Sequence, residues 1–376
     1  MHYDHIIVGA GSMGVAAGYF LAKKGQNVLL LDAFNPPHDH ASHHGETRLI
    51  RYAYGEGLYY VPMALRAKEL WEQLQRQTDE TIFHQTGIVN IGYKDHPFMN
   101  NVIASAKQFD LPLEVLSADE IQEKWAGIHI PKKLIGCFEP TSGVLRVENC
   151  IRSYRTLAEK EGATIRTNSK VVAVRSVGDI VEVELATGER FTANTAIISV
   201  GAWAKQLLHS LALDLPLNPI RKTFAWYEAE EALYDQQNFP GFAFDFDGEA
   251  YYGFPSIDGA GLKIGRHDGG DSINPDEARV PFGDIVEDKS DLDAFLQTYM
   301  PKVGPMKFGK TCMYSMTPDE DFIIDRHPNH SNITIAAGFS GHGFKFASVV
   351  GEILSDLAMN EKPQFDLTPF SINRFK

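Results

Sequence analysis

Three glycines and one acid carry the first chemistry in this chain. Gly9, Gly11 and Gly14 stand in a G-x-G-x-x-G pattern after the apolar run Ile6 to Ala10, and Asp32 ends a second apolar run, Val28 to Leu31. The set suits a dinucleotide. Gly9 permits a tight turn, Gly11 lets the backbone approach a pyrophosphate, and Gly14 lets a helix pack closely on the strand. The helix N-terminus offers free N–H groups and a partial positive charge to phosphates. Asp32 is placed to accept from a ribose hydroxyl and disfavours a 2′-phosphate, so FAD or NAD is expected over NADP. A glycine-rich turn in some other α/β protein is the alternative, and the strand, helix, strand and acid in that order argue against it.

A second set of residues is basic. His38, His40, His43 and His44 crowd the loop after Asp32, followed by Arg48 and Arg51. The histidines are irregularly spaced and no cysteine joins them, so no metal is expected and a solvated loop is the alternative. His44, Arg48 and Arg51 suit an anion, although surface arginines paired with acids would read the same way. Ser42 or Thr47 could cap a short helix, which would put Arg48 and Arg51 on one face. Farther on, Lys263, Gly265 and His267 alternate with Leu262, Ile264 and Arg266, so two basic groups share one face of an expected strand. That face is either a site or simply solvated. Cys312 and Tyr314, two apart, would also share a side, and Cys312 taken alone reads as a buried structural thiol.

Apolar periodicity supplies the elements that must position these groups. A helix after Gly14 turns Met13, Ala16, Ala17, Phe20 and Leu21 inward and ends at Gly25. Residues 60–77 read as an amphipathic helix with Leu65, Leu70, Trp71 and Leu74 inward. Ser117 to Glu120 reads as a capping box, and residues 150–160 as a helix. Residues 171–174, 180–185 and 190–192 form a three-stranded meander, and residues 195–200 a separate buried strand closed by Gly201 and Trp203. Its end belongs beside the cofactor, since ligands of open α/β sheets lie at strand C-termini. From Pro216 to about Pro318 the strands are joined by D-G and D-G-A-G turns, an antiparallel sheet in a second domain. A buried strand over residues 333–337 then leads through Gly338, Gly341 and Gly343 into a helix reaching Leu357. A second glycine-rich turn onto a helix suits a long, bent cofactor such as FAD better than a single nucleotide.

The 376 residues are 44% hydrophobic and carry a formal net charge of −14, enough chain for two domains. No basic stripe is present, so no nucleic-acid role is expected. No apolar run is long enough to span a membrane, and a strand begins too early to leave room for a signal peptide. Cys137, Cys150 and Cys312 show no paired or metal-type spacing, which fits a reducing cytoplasm.

The chain resembles the monomeric sarcosine oxidase and N-methyltryptophan oxidase family of flavin amine oxidases. The matching stretches are V-G-A-G-S-M-G, S-H-H-G-E-T-R-L-I-R, Y-A-Y-G-E-G, Y-Y-G-F-P, G-L-K-I-G-R-H, T-C-M-Y and A-A-G-F-S-G-H-G-F-K-F-A-S, which run over nearly the whole sequence. The resemblance implies an α/β plus α+β fold: a Rossmann-like FAD-binding domain (1–80, 146–215 and 320–376) with an inserted antiparallel-sheet catalytic domain (81–145 and 216–319). It implies oxidation of sarcosine or a related N-methyl amino acid by O2 and water to the amino acid, formaldehyde and H2O2, by a cytoplasmic monomer. N-methyl-L-tryptophan oxidation is the alternative with the same chemistry.

The family's roles fall on matching residues here. Cys312 tethers FAD through sulfur to the flavin 8α carbon. Arg51 and Lys345 hold the substrate carboxylate. Lys263 lies over the flavin and promotes O2 reduction, with Arg48 nearby. His44, Tyr252, His267 and Tyr314 line the substrate cavity. The cofactor-binding set is Gly9, Gly11, Ser12, Met13, Gly14, Asp32, Ser42, Thr47, Val172, Gly201, Trp203, Gly341, Gly343, Phe344 and Lys345, besides Cys312. One position departs: counting back from Tyr252 puts Ala243 where the sarcosine-oxidising branch carries methionine. If it lines the pocket, bulkier substrates gain room. An NAD-dependent dehydrogenase and a non-catalytic FAD-binding protein are the remaining alternatives, excluded respectively by a flavin spectrum and by its bleaching with substrate.

Overall fold

The computed structural model describes every residue except Asp247. The chain opens with β1 (His2–Val8), α1 (Ser12–Lys23) and β2 (Val28–Leu31), β1 and β2 lying parallel. There follow β3 (Thr47–Ile50), α2 (Val61–Gln75), β4 (Phe83–His84), β5 (Ile88–Tyr93), α3 (Pro97–Gln108), β6 (Glu114–Ser117), α4 (Ala118–Lys124), β7 (Leu134–Glu139), β8 (Gly143–Arg146) and α5 (Val147–Lys160). The chain continues through β9 (Thr164–Arg166), β10 (Val171–Val177), β11 (Ile180–Leu185), β12 (Arg190–Ile198) and α6 (Ala204–His209). A second run holds β13 (Asn218–Tyr227), α7 (Glu231–Tyr234), β14 (Gly241–Phe246), β15 (Glu249–Phe254), β16 (Leu262–Arg266), α8 (Glu287–Tyr299) and β17 (Met306–Met316). It ends with β18 (Ile323–His327), β19 (His330–Ala337) and α9 (Ala347–Ala358). The D-G turn expected between β14 and β15 includes Asp247, which lies outside the described residues.

Two eight-stranded sheets carry the fold. One is ordered β10-β11-β12-β1-β2-β9, with β19 on β12 and β18 on β19. The other is β17-β13-β16-β15-β14-β5-β7-β6, antiparallel except where β14 meets β5. A small sheet, β3-β8-β4, completes the set. The fold is therefore the expected α/β plus α+β combination of a Rossmann-like sheet and an antiparallel one. No described helix is long and apolar enough to cross a membrane.

Three local expectations change. Residues 190–192 and 195–200 do not form separate strands. They merge into β12, whose first half pairs with β11 and whose second half pairs with β19. A single strand serves both the meander and the parallel core, so its buried pattern resembled two pieces. The short helix proposed around Ser42 and Thr47 is absent as well. Thr47 to Ile50 is β3, paired antiparallel with β8, and the Thr47 hydroxyl caps nothing. Finally, α1 is buried almost all round, with Phe20 and also Leu65 of α2 only half-buried. Helix α1 is covered by both α5 and α9, and α9 approaches so closely that a Cβ on Gly351 would sit 2.5 Å from the Ala16 Cβ. Small residues on both helices permit that contact. The capping box at Ser117 and Glu120 forms as expected.

The first turn shows why its glycines are there. Gly9 has φ +94°, and a Cβ on it would lie 2.5 Å from the Ser199 carbonyl oxygen. A Cβ on Gly14 would lie 1.9 Å from the Gly9 oxygen. Gly11 meets nothing nearer than the His43 ring at 3.6 Å. Gly14→Ala should thus force β1 and α1 apart, destabilising the fold by about 1–3 kcal/mol as overpacking does. A lowered urea midpoint with an unchanged slope, and weaker FAD retention, are the expected results.

Candidate active site

Three cavities meet around the segment from Ser42 to Arg51. The first, about 390 Å³, is the cleft over the C-terminal ends of the parallel strands. It is lined by Gly9, Gly11, Ser12, Met13, Asp32, Ser42, Val172, Gly201, Trp203, Gly341, Gly343 and Phe344, so most of the expected cofactor set comes together there. Gly14 packs behind the turn instead. Asp32 accepts from the Ala10 N–H at 2.8 Å and the Phe34 N–H at 2.9 Å, which aims the carboxylate along the cleft wall. His38 stands 3.6 Å from it with its ring tilted against Phe34, on which His40 stacks, and these contacts give that part of the histidine loop a role without a metal. No cluster of metal-ligating side chains occurs among the described residues.

A long anionic cofactor fits this cleft. Its floor is a glycine turn too tight for side chains, and the N-terminus of α1 opens onto it. The second glycine turn also lines it: Gly341 has φ +79°, and a Cβ on it would lie 2.3 Å from the Tyr314 ring.

The second cavity, about 160 Å³, shares Arg48, Tyr314, Gly341 and Phe344 with the first. Its walls include Arg51, Ala243, Tyr252, His267 and Lys345, all expected at the substrate site. β14 delivers Ala243, which sits in register between Asn90 of β5 and Tyr252 of β15. Tyr314 and Tyr252 bring their hydroxyls within 3.4 Å.

Electrostatics divides this cavity into a charged end and a neutral end. At the charged end Arg51, buried, pairs with Glu56 and donates to the Asn90 side-chain oxygen at 3.3 Å. Burial favours the protonated Glu56, but Arg51, helped by Lys345 and His342, holds its carboxyl at about 2. Lys345 donates to the Tyr54 hydroxyl at 3.0 Å and the His342 carbonyl at 2.9 Å. Burial first, then Arg51, lowers its ammonium to about 7. Trp71 donates to the Lys345 carbonyl at 2.8 Å, tying this residue to α2. At the other end burial keeps the groups uncharged. His267 falls to about 4, and Tyr252 rises to about 12.

His44 borders neither cavity. Burial lowers its imidazole to about 3 against a hydrogen bond from Nε2 to the Thr311 carbonyl at 2.8 Å, beside Cys312. Cys312 is buried with Phe224, Trp226 and Tyr314 and borders none of the three cavities. Burial raises its thiol, with Arg48 and Lys263 acting against it.

Lys263 and Thr47 lie on a third cavity of about 210 Å³. The Lys263 Nζ donates to the Gly45 carbonyl, and to the Thr47 carbonyl at 3.3 Å and hydroxyl at 3.1 Å. Arg48 donates to the same Thr47 carbonyl at 2.8 Å, to Ser42 O at 2.8 Å and to His44 O at 2.9 Å. Strand β3, not a helix, thus sets the two arginines: Arg48 turns back onto its own loop, and Arg51 lies one residue past the strand end.

Sequence reasoning missed Tyr54, Glu56, Asn90 and His342. Tyr54 and Glu56 lie inside the Y-A-Y-G-E-G stretch and His342 inside S-G-H-G-F-K, so the motifs contained them without revealing their roles. Asn90 sits in a strand of otherwise ordinary residues and gave no signal.

The FAD dependent oxidoreductase family model matches residues 4–357. Monomeric sarcosine oxidase of Bacillus sp. (strain B-0618) is 50% identical over 376 residues, covering 99% of this chain and 96% of that protein. N-methyl-L-tryptophan oxidase of Escherichia coli O157:H7 is 47% identical over 378 residues, covering 100% of both. Among solved structures, NikD, an amino acid oxidase essential for nikkomycin biosynthesis, superposes with a TM-score of 0.87 at 21% identity, covering 98% of this chain and 97% of that one. Glycine oxidase from Geobacillus kaustophilus gives 0.82 at 21% identity, covering 99% of each.

The charged end makes a pH prediction. Anion binding there favours the Lys345 ammonium, which is lost as pH rises through about 7. Acetate affinity should fall about tenfold per pH unit above that point, as a single linked proton requires. Lys345→Met should bind acetate weakly at every pH and remove the slope; titration of the ligand-induced spectral change measures both.

Proposed function

Since the chain belongs to the FAD dependent oxidoreductase family, we propose that it is the flavin amine oxidase that demethylates sarcosine or a related N-methyl amino acid. O2 and water are consumed, and the amino acid, formaldehyde and H2O2 are released. The observation that carries this reading is the pair Arg51 and Lys345, two buried cations at one end of a cavity that opens onto the dinucleotide cleft through Arg48 and Tyr314. A guanidinium and an ammonium together suit a carboxylate. Release of H2O2 and formaldehyde in equal amounts from sarcosine tests it, and no turnover with any N-methyl amino acid would overturn it.

FAD, when bound, accepts a hydride equivalent from the N-methyl carbon and passes two electrons to O2. The remaining roles belong to the chain. Residues 1–80, 146–215 and 320–376 hold the cofactor and lend the substrate cavity its Arg51 and Lys345, and 81–145 with 216–319 build the rest of the substrate side. The glycine turns, with Ser12 and Met13, hold the pyrophosphate, and Asp32 the ribose. Arg51 exchanges Glu56 for the substrate carboxylate. His267, kept a neutral imidazole at neutral pH by burial, accepts a hydrogen bond from the substrate amine and orients it. Tyr252 and Tyr314 exclude water while remaining protonated. Lys263 and Arg48 stabilise the negative charge that develops as O2 is reduced. His44 braces the strand that carries Cys312. The name of the sarcosine-oxidising relative and three buried, unpaired cysteines support a monomer working in the cytoplasm.

Cys312 is proposed to bind FAD covalently: acid-precipitated wild type should keep its yellow colour in the pellet, while Cys312→Ser should release flavin to the supernatant. Ala243 leaves the wall between Asn90 and Tyr252 small. Ala243→Met should lower kcat/KM for N-methylalanine and N-methyltryptophan relative to sarcosine by about 1–3 kcal/mol. An unchanged ratio would remove Ala243 from the specificity set.

A further inference from the structure

The third cavity is not needed for either the cofactor or the carboxylate, yet it ends on Lys263. Its inner end is built from buried groups: Lys263, Thr47, Trp226 and Phe254. At its outer end Arg146 of β8 pairs with Asp258 at 2.8 Å, and the Asp258 side chain is 67% exposed. At about 210 Å³ it has room for many water-sized guests, which need about 10–15 Å³ each. It shares only Phe254 with the substrate cavity among the described residues.

We propose that this cavity is the port of the oxygen half of the reaction, separate from the substrate entrance. O2 reaches Lys263 through it, and H2O2 leaves the same way. The inference rests on the role given to Lys263 above. Each O2 takes up two electrons and two protons to become H2O2, so this end of the site needs contact with water as well as with gas. Glu46, Thr47, Arg146 and Asp258 give the cavity polar walls suited to water and H2O2. The substrate cavity is unsuited to that traffic. It holds the carboxylate anchor of Arg51 and Lys345 and shares Arg48, Tyr314, Gly341 and Phe344 with the cofactor cleft, whereas Lys263 does not line it. Phe254, buried, is the one described residue that lines both spaces.

Ala260 lies on the cavity wall beside the cluster that contains Trp226, and it does not line the substrate cavity. In the FAD-loaded enzyme, Ala260→Phe should slow reoxidation by O2 at least fivefold and leave anaerobic reduction by sarcosine within twofold. Asp258→Cys, folded first and then alkylated with a bulky maleimide, blocks the mouth without repacking the interior, because the three native cysteines are buried. It should give the same split. A readout independent of turnover is carbamylation of Lys263 by cyanate, followed by peptide mass mapping. The plugged forms should protect Lys263, and acetate should not. Normal reoxidation in both folded, plugged forms overturns the port, as does protection of Lys263 by acetate alone. Lys263→Met separates the layers. If it slows reoxidation while the plugs do not, the port falls and the Lys263 role stands. If it reoxidises normally, that role falls and the port with it.

Discussion

The site depends on burying cationic side chains without giving most of them an acidic partner. The chain carries an excess of acids, yet Lys222, Lys263 and Lys345 are buried and Arg48 partly so, with backbone carbonyls as their main partners. Lys222 donates to Asp268 O and Gly269 O, and Lys263 and Arg48 share Thr47 O. A carbonyl dipole satisfies an N–H donor but supplies no counter-charge, so burial lowers the ammonium of Lys222 to about 8 and of Lys345 to about 7 and holds that of Lys263 well below its usual range, and an anion that enters favours the charged forms. Arg51 differs because Glu56 occupies it, so the site holds a resident carboxylate where a ligand carboxylate would bind. Binding there is an exchange between acids, which limits affinity and keeps the guanidinium oriented in the meantime.

Holding cations on carbonyls requires that the carbonyls be fixed. Gly45 and Glu46 both have positive φ, and their N–H groups donate to the Glu148 carboxylate at 3.1 Å each. Gly45 has no room for a side chain, since a Cβ would press to 2.7 Å from the Phe224 ring. The first turn of α5 therefore fixes the loop that positions Lys263 and Arg48. One short segment, from Ser42 to Arg51, contributes to the walls of all three cavities and sets the spacing between them.

Much of this was legible in the sequence, for identifiable reasons. The strand, glycine turn, helix and acid at the start repeat a local pattern in which each residue type has a backbone reason to be present. The alternation around Lys263 and around Cys312 also gave side-chain faces correctly, because period two is strict in a strand. What failed was local structure decided by distant partners. Thr47 to Ile50 became a strand because β8, nearly a hundred residues later, supplies its hydrogen bonds. Strand β12 was divided because its two halves answer to different neighbours. Asn90 and Glu56 escaped notice because their meaning lies in Arg51, and no spacing rule links them to it.

The contact between α1 and α9 has a consequence for the order of events during synthesis. Helix α1 leaves the ribosome early, but one flank stays bare until α9 covers it, and β1, paired with β2 on one side, lacks its second neighbour until β12 is made. The second glycine turn of the cleft arrives only after residue 337. The whole antiparallel sheet is thus translated while the opening unit waits unfinished. Cofactor capture is therefore an event of the completed polypeptide, and a truncated product, however well its middle folds, holds half a cleft.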